Sequence, residues 1–372
     1  MSLLDLLFST LIHQGSLAVI DAAGQRRQYG DGSPPLAVAR IADRATDRRI
    51  VFAPDFHLLQ AYMDGHLTME EGCFHDFLDV CCRNVADGGF ALVHRLYRAA
   101  GRAFLFWQRW NPVHLAHKRV SHHYDLHESL FRLFLDRDMQ YSCAYFQSPD
   151  DSLDQAQEAK KRHIIAKLDV RDGQSILDIG SGWGGMALSL ARAADVRVTG
   201  VTLSKEQLEV ARRRAAEAGL DKRVRFELLD YRKLRDRFDR IVSVGMFEHV
   251  GPPHYGQYFR KVRDLLTPDG IALVHSVGEY DHGSTNPWIQ RHIFPGSYTP
   301  SLGQVLPAVE KARLWVTDVE ILRVHYAETL KVWRERFAAR RAEAVALYDE
   351  RFCRMWEAYL SACEIGFRRM SL

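Results

Sequence analysis

The 372-residue sequence contains few cysteines and no long apolar run. No stretch of about 18 uncharged apolar residues occurs, so we do not expect a transmembrane helix. Its six cysteines, at positions 73, 81, 82, 143, 353 and 363, lack the spacing of metal ligands. They suit a reducing compartment better than a disulfide framework. Internal repeats and low-complexity tracts are also missing, which argues against a repeat protein or a disordered chain.

Neither a secretion signal nor a strong excess of charge is evident. Residues 1–12 are apolar, but they lack a basic start and a small-residue cleavage site, so we expect no signal peptide. The formal net charge is only +3, which is too weak to indicate a nucleic-acid partner. It is compatible with loose attraction to anionic lipid. We therefore expect a cytoplasmic protein that binds no nucleic acid.

The length and a hydrophobic content of 47% predict a globular protein of two domains. Residues 1–95 look like a small α+β domain, with strands at 17–21 and 36–41 and helices at 56–63 and 70–80. From residue 121 to residue 372, strands and helices alternate, which predicts a doubly wound, mostly parallel α/β sheet. Its strands are expected at 175–179, 197–201, 224–228, 238–244 and 270–276.

A basic and aromatic segment, 96–120, connects these two predicted domains. It could lie against a membrane as an amphipathic stretch. The alternative is a connector whose aromatic side chains pack inward. We favour the connector because no clean amphipathic pattern is visible.

The most informative segment is 175–185, in which a buried strand meets a glycine-rich turn. A helix is expected to follow over 186–194. Glycines at 180, 182 and 184 allow a tight turn and a close approach of backbone to ligand. The spacing differs from the dinucleotide-binding Gly-x-Gly-x-x-Gly. With Asp178 just before it, this turn resembles motif I of methyltransferases that use S-adenosylmethionine (SAM).

The next strand, 196–204, ends without the acidic residue that usually meets ribose hydroxyls. Thr202, Leu203 and Ser204 stand there instead. Ser204 is a good N-cap, and Gln207 would complete a capping box for a helix over 205–218. This departure disfavours a generic methyltransferase or dehydrogenase and indicates one subgroup.

Seven segments together resemble the cyclopropane-fatty-acyl-phospholipid synthase family, a group of SAM-dependent lipid methyltransferases. The resemblance is strong over about 115–370 and weaker at 61–65. It implies a smaller amino-terminal domain for substrate capture, followed in the chain by a SAM methyltransferase sheet of the seven-stranded type. The segments are 121–126, 139–146, 180–185, 201–204, 241–251, 275–278 and 288–296.

The resemblance also implies which residues contact SAM. They are expected at the ends of the first three strands of the sheet and in one segment before it. The implied positions are Tyr141, Ser142, Asp178, Gly180, Gly182, Gly184, Thr202, Leu203, Ser204, Gln207, Asp230 and Tyr231.

Five further positions resemble a bicarbonate site of this family: Cys143, Glu248, His275, Val277 and Tyr326. No metal site is implied. Cys363 matches a cysteine once regarded as the nucleophile, but carbocation chemistry needs no covalent enzyme intermediate, so we expect a structural role. Family members usually continue past this cysteine into another strand. Because this sequence ends at Leu372, we expect either an abbreviated last strand or a naturally short chain.

The implied reaction adds a methylene bridge from SAM across a cis double bond of a phospholipid acyl chain. Such chemistry needs a dry pocket, a base and aromatic faces for the developing cation. Alternatives are a methyltransferase that leaves a methylene or methyl branch, a small-molecule methyltransferase and a non-catalytic lipid carrier. We expect transient, peripheral contact with the inner face of an anionic membrane, and a homodimer is left open. Candidate aromatic walls are Phe247, Tyr255, Tyr258, Trp288, Phe294 and Trp333.

Overall fold

The computed structural model describes residues 3–86, 126–280, 285–370 and 372. The strands, in chain order, are β1 Ser16–Ile20, β2 Arg26–Gly30, β3 Leu36–Ile41, β4 Leu67–Glu71, β5 Ser175–Ile179, β6 Arg197–Thr202, β7 Val224–Leu228, β8 Phe238–Val244 and β9 Leu266–His275. The α-helices are α1 Leu3–Leu11, α2 Arg44–Phe52, α3 Pro54–Asp64, α4 Phe74–Ala86, α5 Glu128–Phe131, α6 Leu153–Lys167, α7 Gly185–Ala193, α8 Lys205–Glu217, α9 Tyr255–Leu265, α10 Pro287–His292, α11 Leu302–Lys311, α12 Arg323–Ala339, α13 Arg341–Leu347 and α14 Glu350–Arg369.

The chain forms two compact units that are not consecutive in sequence. The first comprises the described parts of Met1–Leu105, Asn286–Ile293 and Tyr326–Leu372. The second comprises those of Phe106–Thr285 and Phe294–His325. This division differs from the predicted consecutive domains 1–95 and 121–372, because α14 packs against α3 and α4. The predicted connector 96–120 lies outside the described residues.

The first unit contains a mixed sheet with the strand order β2-β1-β3-β4. Strand β1 is antiparallel to β2 and parallel to β3, and β3 is antiparallel to β4. The sequence predicted the two central strands but missed the outer ones. Strand β4 also corrects the predicted helix over 70–80, since Glu70 and Glu71 belong to the strand and α4 begins at Phe74.

The second unit is built on a parallel sheet with the order β7-β6-β5-β8-β9. All five predicted strands are present, which confirms the α/β fold class. The described part of the chain gives this sheet five strands, fewer than the seven-stranded type. Where an abbreviated final strand was expected, the last residues form helix α14 of the first unit.

The core of the second unit lies on both faces of this sheet. Adjacent residues of β5, Ile176 and Leu177, are both fully buried but belong to different apolar clusters. Successive side chains of a strand point to opposite faces, so the two clusters cover the two sides. Phe226 belongs to the cluster around Ile176, and Phe247 to the cluster around Leu177.

Among the residues that the structure describes, no helix is both long enough and apolar enough to cross a bilayer.

Candidate active site

A pocket of about 170 Å³ opens beside the carboxyl ends of β5, β6 and β8 in the second unit. Its walls include residues of the turns that follow these strands, within 178–183, 201–203 and 244–250. The order of the strands reverses between β5 and β8. Open parallel sheets bind ligands at such a reversal, so the pocket lies where a cofactor is expected.

Most residues that the resemblance assigns to SAM line this pocket. The two that do not are Gly184, which immediately precedes α7, and Ser204, which caps α8. Those that do are Tyr141, Ser142, Asp178, Gly180, Gly182, Thr202, Leu203, Gln207, Asp230 and Tyr231.

The three glycines of the turn serve different needs. All have positive φ, at 81° for Gly180, 52° for Gly182 and 84° for Gly184. A Cβ at Gly180 would lie 2.9 Å from Met246 Cβ, and one at Gly184 would lie 2.8 Å from Phe226 Cζ. A Cβ at Gly182 would meet no described atom within 4 Å. Packing therefore requires glycine at 180 and 184, whereas Gly182 leaves open space in the pocket wall.

One aromatic ring fills the space left by two glycines. Phe226 of β7 lies directly opposite Gly200 of β6, where a Cβ would come within 2.6 Å of Phe226 Cδ1. The same ring approaches Gly184. The same side chain thus packs against both the glycine turn and the neighbouring strand β6.

The carboxylate of Asp178 is a buried hydrogen-bond acceptor in the pocket wall. The residue is 2% exposed, and its Oδ2 has no hydrogen-bond partner among the described residues. Burial raises the pKa of Asp178 to about 7. An unsatisfied buried carboxylate oxygen is costly, so this atom fits a ligand that donates a hydrogen bond. The amino group and ribose hydroxyls of SAM are such donors.

The end of β6 is fixed by a chain of hydrogen bonds. Ser204 Oγ accepts from Gln207 N at 3.2 Å, as the predicted N-cap requires. The Gln207 side chain does not follow the predicted capping box, because its Oε1 accepts from Thr202 Oγ1 at 3.1 Å. Ser204 N donates to the same Thr202 hydroxyl at 3.2 Å. Gln207 is thereby directed toward the pocket that it lines.

Asp230, which follows β7, is paired with an arginine that sequence reasoning missed. Arg232 Nη2 donates to Asp230 Oδ2 at 2.6 Å, and Arg232 Nε donates to Oδ1 at 2.9 Å. The guanidinium also lies 5.8 Å from the ring centroid of Tyr231. Both charged residues line the pocket. The pairing neutralises the buried carboxylate and holds Tyr231 beside it.

Gln140 and Ser142, which line the pocket, are held by hydrogen bonds from α6, and Lys160 of this helix was also missed. Its Nζ donates to Gln140 Oε1 at 2.7 Å and to Ser142 Oγ at 2.8 Å. Gln157 Nε2 donates to the Ser142 carbonyl at 2.9 Å. Buried polar residues of this kind resemble an exposed helix face in the sequence, so no local signal marks them.

A second polar network joins the same segment to the glycine turn. Asp138 accepts from Lys161 Nζ at 2.6 Å and forms an ion pair with Arg214. Arg214 Nη1 also donates to the Trp183 carbonyl at 2.7 Å. This arginine therefore ties two walls of the pocket together.

Glu248 lies four residues beyond β8, in the turn that lines the pocket. Its Oε1 accepts from the main-chain N–H of Val277 at 2.7 Å, while its Oε2 is buried without a partner among the described residues. Burial raises the pKa of Glu248 to about 7, against the opposing effects of the main-chain N–H groups of Val277 and Glu248 and of the Ser276 side chain. Glu248 itself does not line the described pocket, although Met246, His249 and Val250 beside it do.

His275 ends β9 and is partly buried. Burial, aided by the positive charge of Lys160, lowers the pKa of His275 to about 4. The imidazole is therefore neutral near pH 7 and can both donate and accept.

Cys143 is 3% exposed, and its Sγ lies 3.2 Å from the Ala144 carbonyl. Burial raises the pKa of Cys143 to about 12, so it is present as a thiol.

Tyr326 and Cys363, the remaining predicted residues, belong to the first unit. The Tyr326 ring packs against Phe367 with 4.6 Å between centroids and against Trp333 at 6.1 Å. Cys363 is partly buried, and burial raises its pKa to about 12. The participation of Tyr326 in an anion site stays a prediction.

The aromatic walls expected from sequence are largely core residues. Phe247, Tyr255 and Tyr258 are at most 2% exposed and pack in one cluster beneath the sheet, so they do not line the described pocket. Trp288 and Trp333 are fully buried in the first unit. The apolar faces of the first three complete the core of the second unit, and a contact with substrate stays a prediction for the set.

One group of potential metal ligands lies in the first unit. Single atoms of Cys73, His75 and Asp76 come within 4.8 Å of one another. Asp76 Oδ2 already accepts from Cys73 N and from Cys73 Sγ, each at 3.0 Å. These bonds close the first turn of α4, and they account for the cluster as a helix cap.

Known proteins match both the sequence and this geometry. The family described as mycolic acid cyclopropane synthetase matches residues 113–372. The sequence is 40% identical over 344 residues to cyclopropane-fatty-acyl-phospholipid synthase of Escherichia coli strain K12, covering 91% of this chain and 86% of that one. The chain belongs to this family. The resemblance drawn from the seven sequence segments is thereby confirmed.

Two further comparisons define the class of enzyme. The chain is also 41% identical over 258 residues to a probable fatty acid methyltransferase of Pseudomonas putida, covering 67% of this chain and 66% of that one. Its fold matches mycolic acid cyclopropane synthase CmaA1 complexed with SAH and CTAB, with a TM-score of 0.65 and 34% identity over 70% of this chain and 95% of that one. The protein is a SAM-dependent C-methyltransferase.

Proposed function

We propose that the enzyme converts a cis double bond of a phospholipid acyl chain into a cyclopropane ring, releasing S-adenosylhomocysteine (SAH). The Escherichia coli relative, named for this reaction, aligns with 91% of the chain, which includes parts of both compact units. Methylene transfer to a lipid double bond therefore has support along nearly the whole sequence. The choice of a phospholipid over another lipid follows that relative's name.

The chemistry sets what the residues must do. The alkene attacks the methyl carbon of the sulfonium, the carbon–sulfur bond breaks, and SAH leaves as a neutral thioether. A positive charge then remains on the neighbouring carbon of the chain. The new methyl loses one proton, and the electron pair of that C–H bond closes the ring. A base must therefore stand close to the methyl while water is excluded.

The observation that carries the proposal is the buried, unpartnered Oε2 of Glu248. Several residues next to Glu248 line the cofactor pocket, namely Met246, His249 and Val250. Phe247 does not. A hydroxyl donor placed against Oε2 would satisfy this atom, and a neutral His275 supplies an N–H to hold an anion. When bound there, bicarbonate would supply the basic oxygen that removes the proton. Glu248 would accept its hydroxyl hydrogen bond, and Cys143 would border the site as a thiol.

A second product has support from other relatives. The chain resembles a probable fatty acid methyltransferase and, at 40% identity over 268 residues, tuberculostearic acid methyltransferase UfaA1 of Mycobacterium tuberculosis. In a branching reaction a hydride first shifts from the methyl-bearing carbon to the cationic carbon, and the methyl then loses its proton, so a methylene branch forms and no ring closes. The residues around Glu248 are compatible with either reaction, so only the structure of the product distinguishes a ring from a branch.

The substrate also implies where the enzyme works. We propose transient, peripheral association with the inner face of an anionic membrane, because the acyl chain must be reached from the bilayer surface. The excess of positive charge is small, at +3, so this association should be weak and sensitive to salt.

The deciding experiment uses SAM with a fully deuterated methyl group and vesicles of phospholipid with cis-unsaturated chains. A cyclopropane product carries all but one of the deuterium atoms and no longer reacts with ozone at that position. A methylene-branched product keeps an alkene and is cleaved by ozone. Vesicles of saturated phospholipid are the control and should gain no label. Labelled small molecules with unlabelled lipid would contradict the proposal.

A further inference from the structure

We infer that Lys160 is a positioning residue of the cofactor site, which makes the Ser142 hydroxyl a hydrogen-bond donor toward SAM. The inference deepens the proposed function and rests on it only in taking SAM as the ligand of the pocket. Lys160 lies on α6, is 2% exposed and does not itself line the pocket. It would therefore act through the residues that do.

The contacts of Lys160 are with two pocket residues. Its Nζ donates to Ser142 Oγ at 2.8 Å and to Gln140 Oε1 at 2.7 Å. Gln140 Nε2 in turn donates to Asp138 Oδ2 at 2.9 Å, so the orientation of this amide is fixed from both ends. The ammonium thus sets the side chains of both residues.

The direction of the Ser142 hydroxyl follows from the chemistry of its partner. An ammonium group has only donors, so Ser142 Oγ must accept from it. The single hydroxyl proton is then left to donate to another atom. Among the described residues, no acceptor for it is found, and Ser142 lines the pocket. An acceptor atom of the cofactor is the partner that completes this arrangement.

A positive charge improves this arrangement over a neutral partner. A charged donor on an oxygen strengthens the hydrogen bond that the same hydroxyl makes onward. Burial lowers the pKa of Lys160 to about 8, although the Asp136 carboxylate opposes the shift, so the ammonium persists near pH 7. Lys161, Asp138, Cys143 and His275 are the other titratable groups that interact with its charge. Burying a charge is costly, and a purely structural contact to Ser142 would not need one.

The neighbouring lysine provides a matched control. Lys161 is 1% exposed on the same helix, but its Nζ contacts Asp138 Oδ2 and Glu158 Oε1, each at 2.6 Å. Neither of these residues lines the pocket. Arg214 continues to pair with Asp138 when Lys161 is removed. The two lysines therefore match in burial and differ in the residues they hold.

The test is a double-mutant cycle on SAH binding, measured by calorimetry with the full-length protein. Lys160→Met should weaken SAH binding about tenfold or more, and Lys161→Met should weaken it clearly less. Ser142→Ala should also weaken binding. If Lys160 acts through Ser142, adding Lys160→Met to Ser142→Ala should cause little further loss. Lys160→Gln, which keeps a donor, should recover part of the affinity.

Two results would overturn the inference. One is SAH affinity in Lys160→Met equal to that of the wild type, and the other is losses that multiply in the double variant. Should Lys160→Met fail to fold by thermal melting, Lys160→Gln carries the same cycle. Wild-type protein that binds no SAH would instead refute the cofactor assignment beneath the proposed function.

Discussion

The main-chain N–H of Val277 donates to Oε1 of Glu248 at 2.7 Å, joining the turn after β8 to the segment after β9. This hydrogen bond fixes the carboxylate and leaves its other oxygen, Oε2, buried without a partner among the described residues. Val277 was expected to belong to a bicarbonate site. Its main-chain N–H is engaged by Glu248 in this structure.

Replacing Glu248 by Gln should separate turnover from cofactor binding. The amide oxygen of Gln can still accept from the Val277 N–H. The amide cannot take up a proton, and its NH2 group cannot accept a hydrogen bond where Oε2 could. We expect turnover to fall about 100-fold or more, as for loss of a group in a proton-transfer step. SAH affinity, measured by calorimetry, should change by less than about threefold. A variant with normal turnover would remove Glu248 from the mechanism.

The same carboxyl group makes stability depend on pH. Burial raises the pKa of Glu248 to about 7, above its usual 4.5, so the folded state holds a proton that the unfolded state has released. The free energy of unfolding should therefore decrease as the pH rises from about 4.5 to about 7. Asp178, with its pKa also raised to about 7, acts in the same direction.

Denaturant titrations across this pH range provide the measurement. In Glu248→Gln the free energy of unfolding should decrease less steeply with pH than in the wild type. The decrease that remains is due to Asp178. The variant should also lack the rise in turnover that the wild type shows as Glu248 ionises. An unchanged slope would mean that Glu248 is ionised in the folded protein throughout the range.

A methyl group at position 182 should obstruct the cofactor at little cost to the fold. Gly182 has a φ of 52°, and its Cβ would enter open space in the pocket wall. Gly182→Ala should lose about 1 kcal/mol of stability from the left-handed backbone and bind SAH about tenfold more weakly. Gly219→Ala is the matched control, because Gly219 has a φ of 65° and equally open surroundings outside the pocket. Equal SAH affinity in the two variants would refute the prediction.

Cys363 should prove dispensable for chemistry. Burial raises its pKa to about 12, and every other cysteine of the chain also has a raised pKa. A thiol of this kind is a poor nucleophile near pH 7. Cys363→Ser should retain most of the activity, and any loss should parallel a lower melting temperature. A folded variant that binds SAH normally without turnover would return the cysteine to the mechanism.

Membrane association should depend on salt. Vesicles with anionic lipid should carry the protein upward in a flotation gradient at low ionic strength and release it at high ionic strength. Neutral vesicles of the same chain composition are the control. No flotation with anionic vesicles at low salt would contradict the proposal.

The fold was predictable from sequence where local pattern decides structure. Strands β5 and β8 are short segments rich in Ile, Leu and Val and buried on both faces, and each is followed directly by a glycine. Strands β2 and β4 were missed because each buries only one side chain, Tyr29 in the first and Leu67 in the second. That α14 joins the first unit depends on its contacts with α3 and α4, which no local pattern reports.

The candidate site divides in the same way. Residues at strand ends, such as Asp178 and Thr202, belong to motifs whose spacing is fixed by the backbone turn. Lys160 and Arg232 escaped prediction because their roles come from the partners that the fold gives them, Ser142 for one and Asp230 for the other. In the sequence both are ordinary charged residues on or near a helix.

The ring of Phe226 against Gly184 and Gly200 has an evolutionary consequence. No Cβ fits at either glycine while the ring is present, so neither position is free to vary alone. A smaller side chain at 226 would have to arise first or together with the change. Among relatives, these three positions should therefore covary, with the two glycines retained wherever an aromatic residue occupies the third.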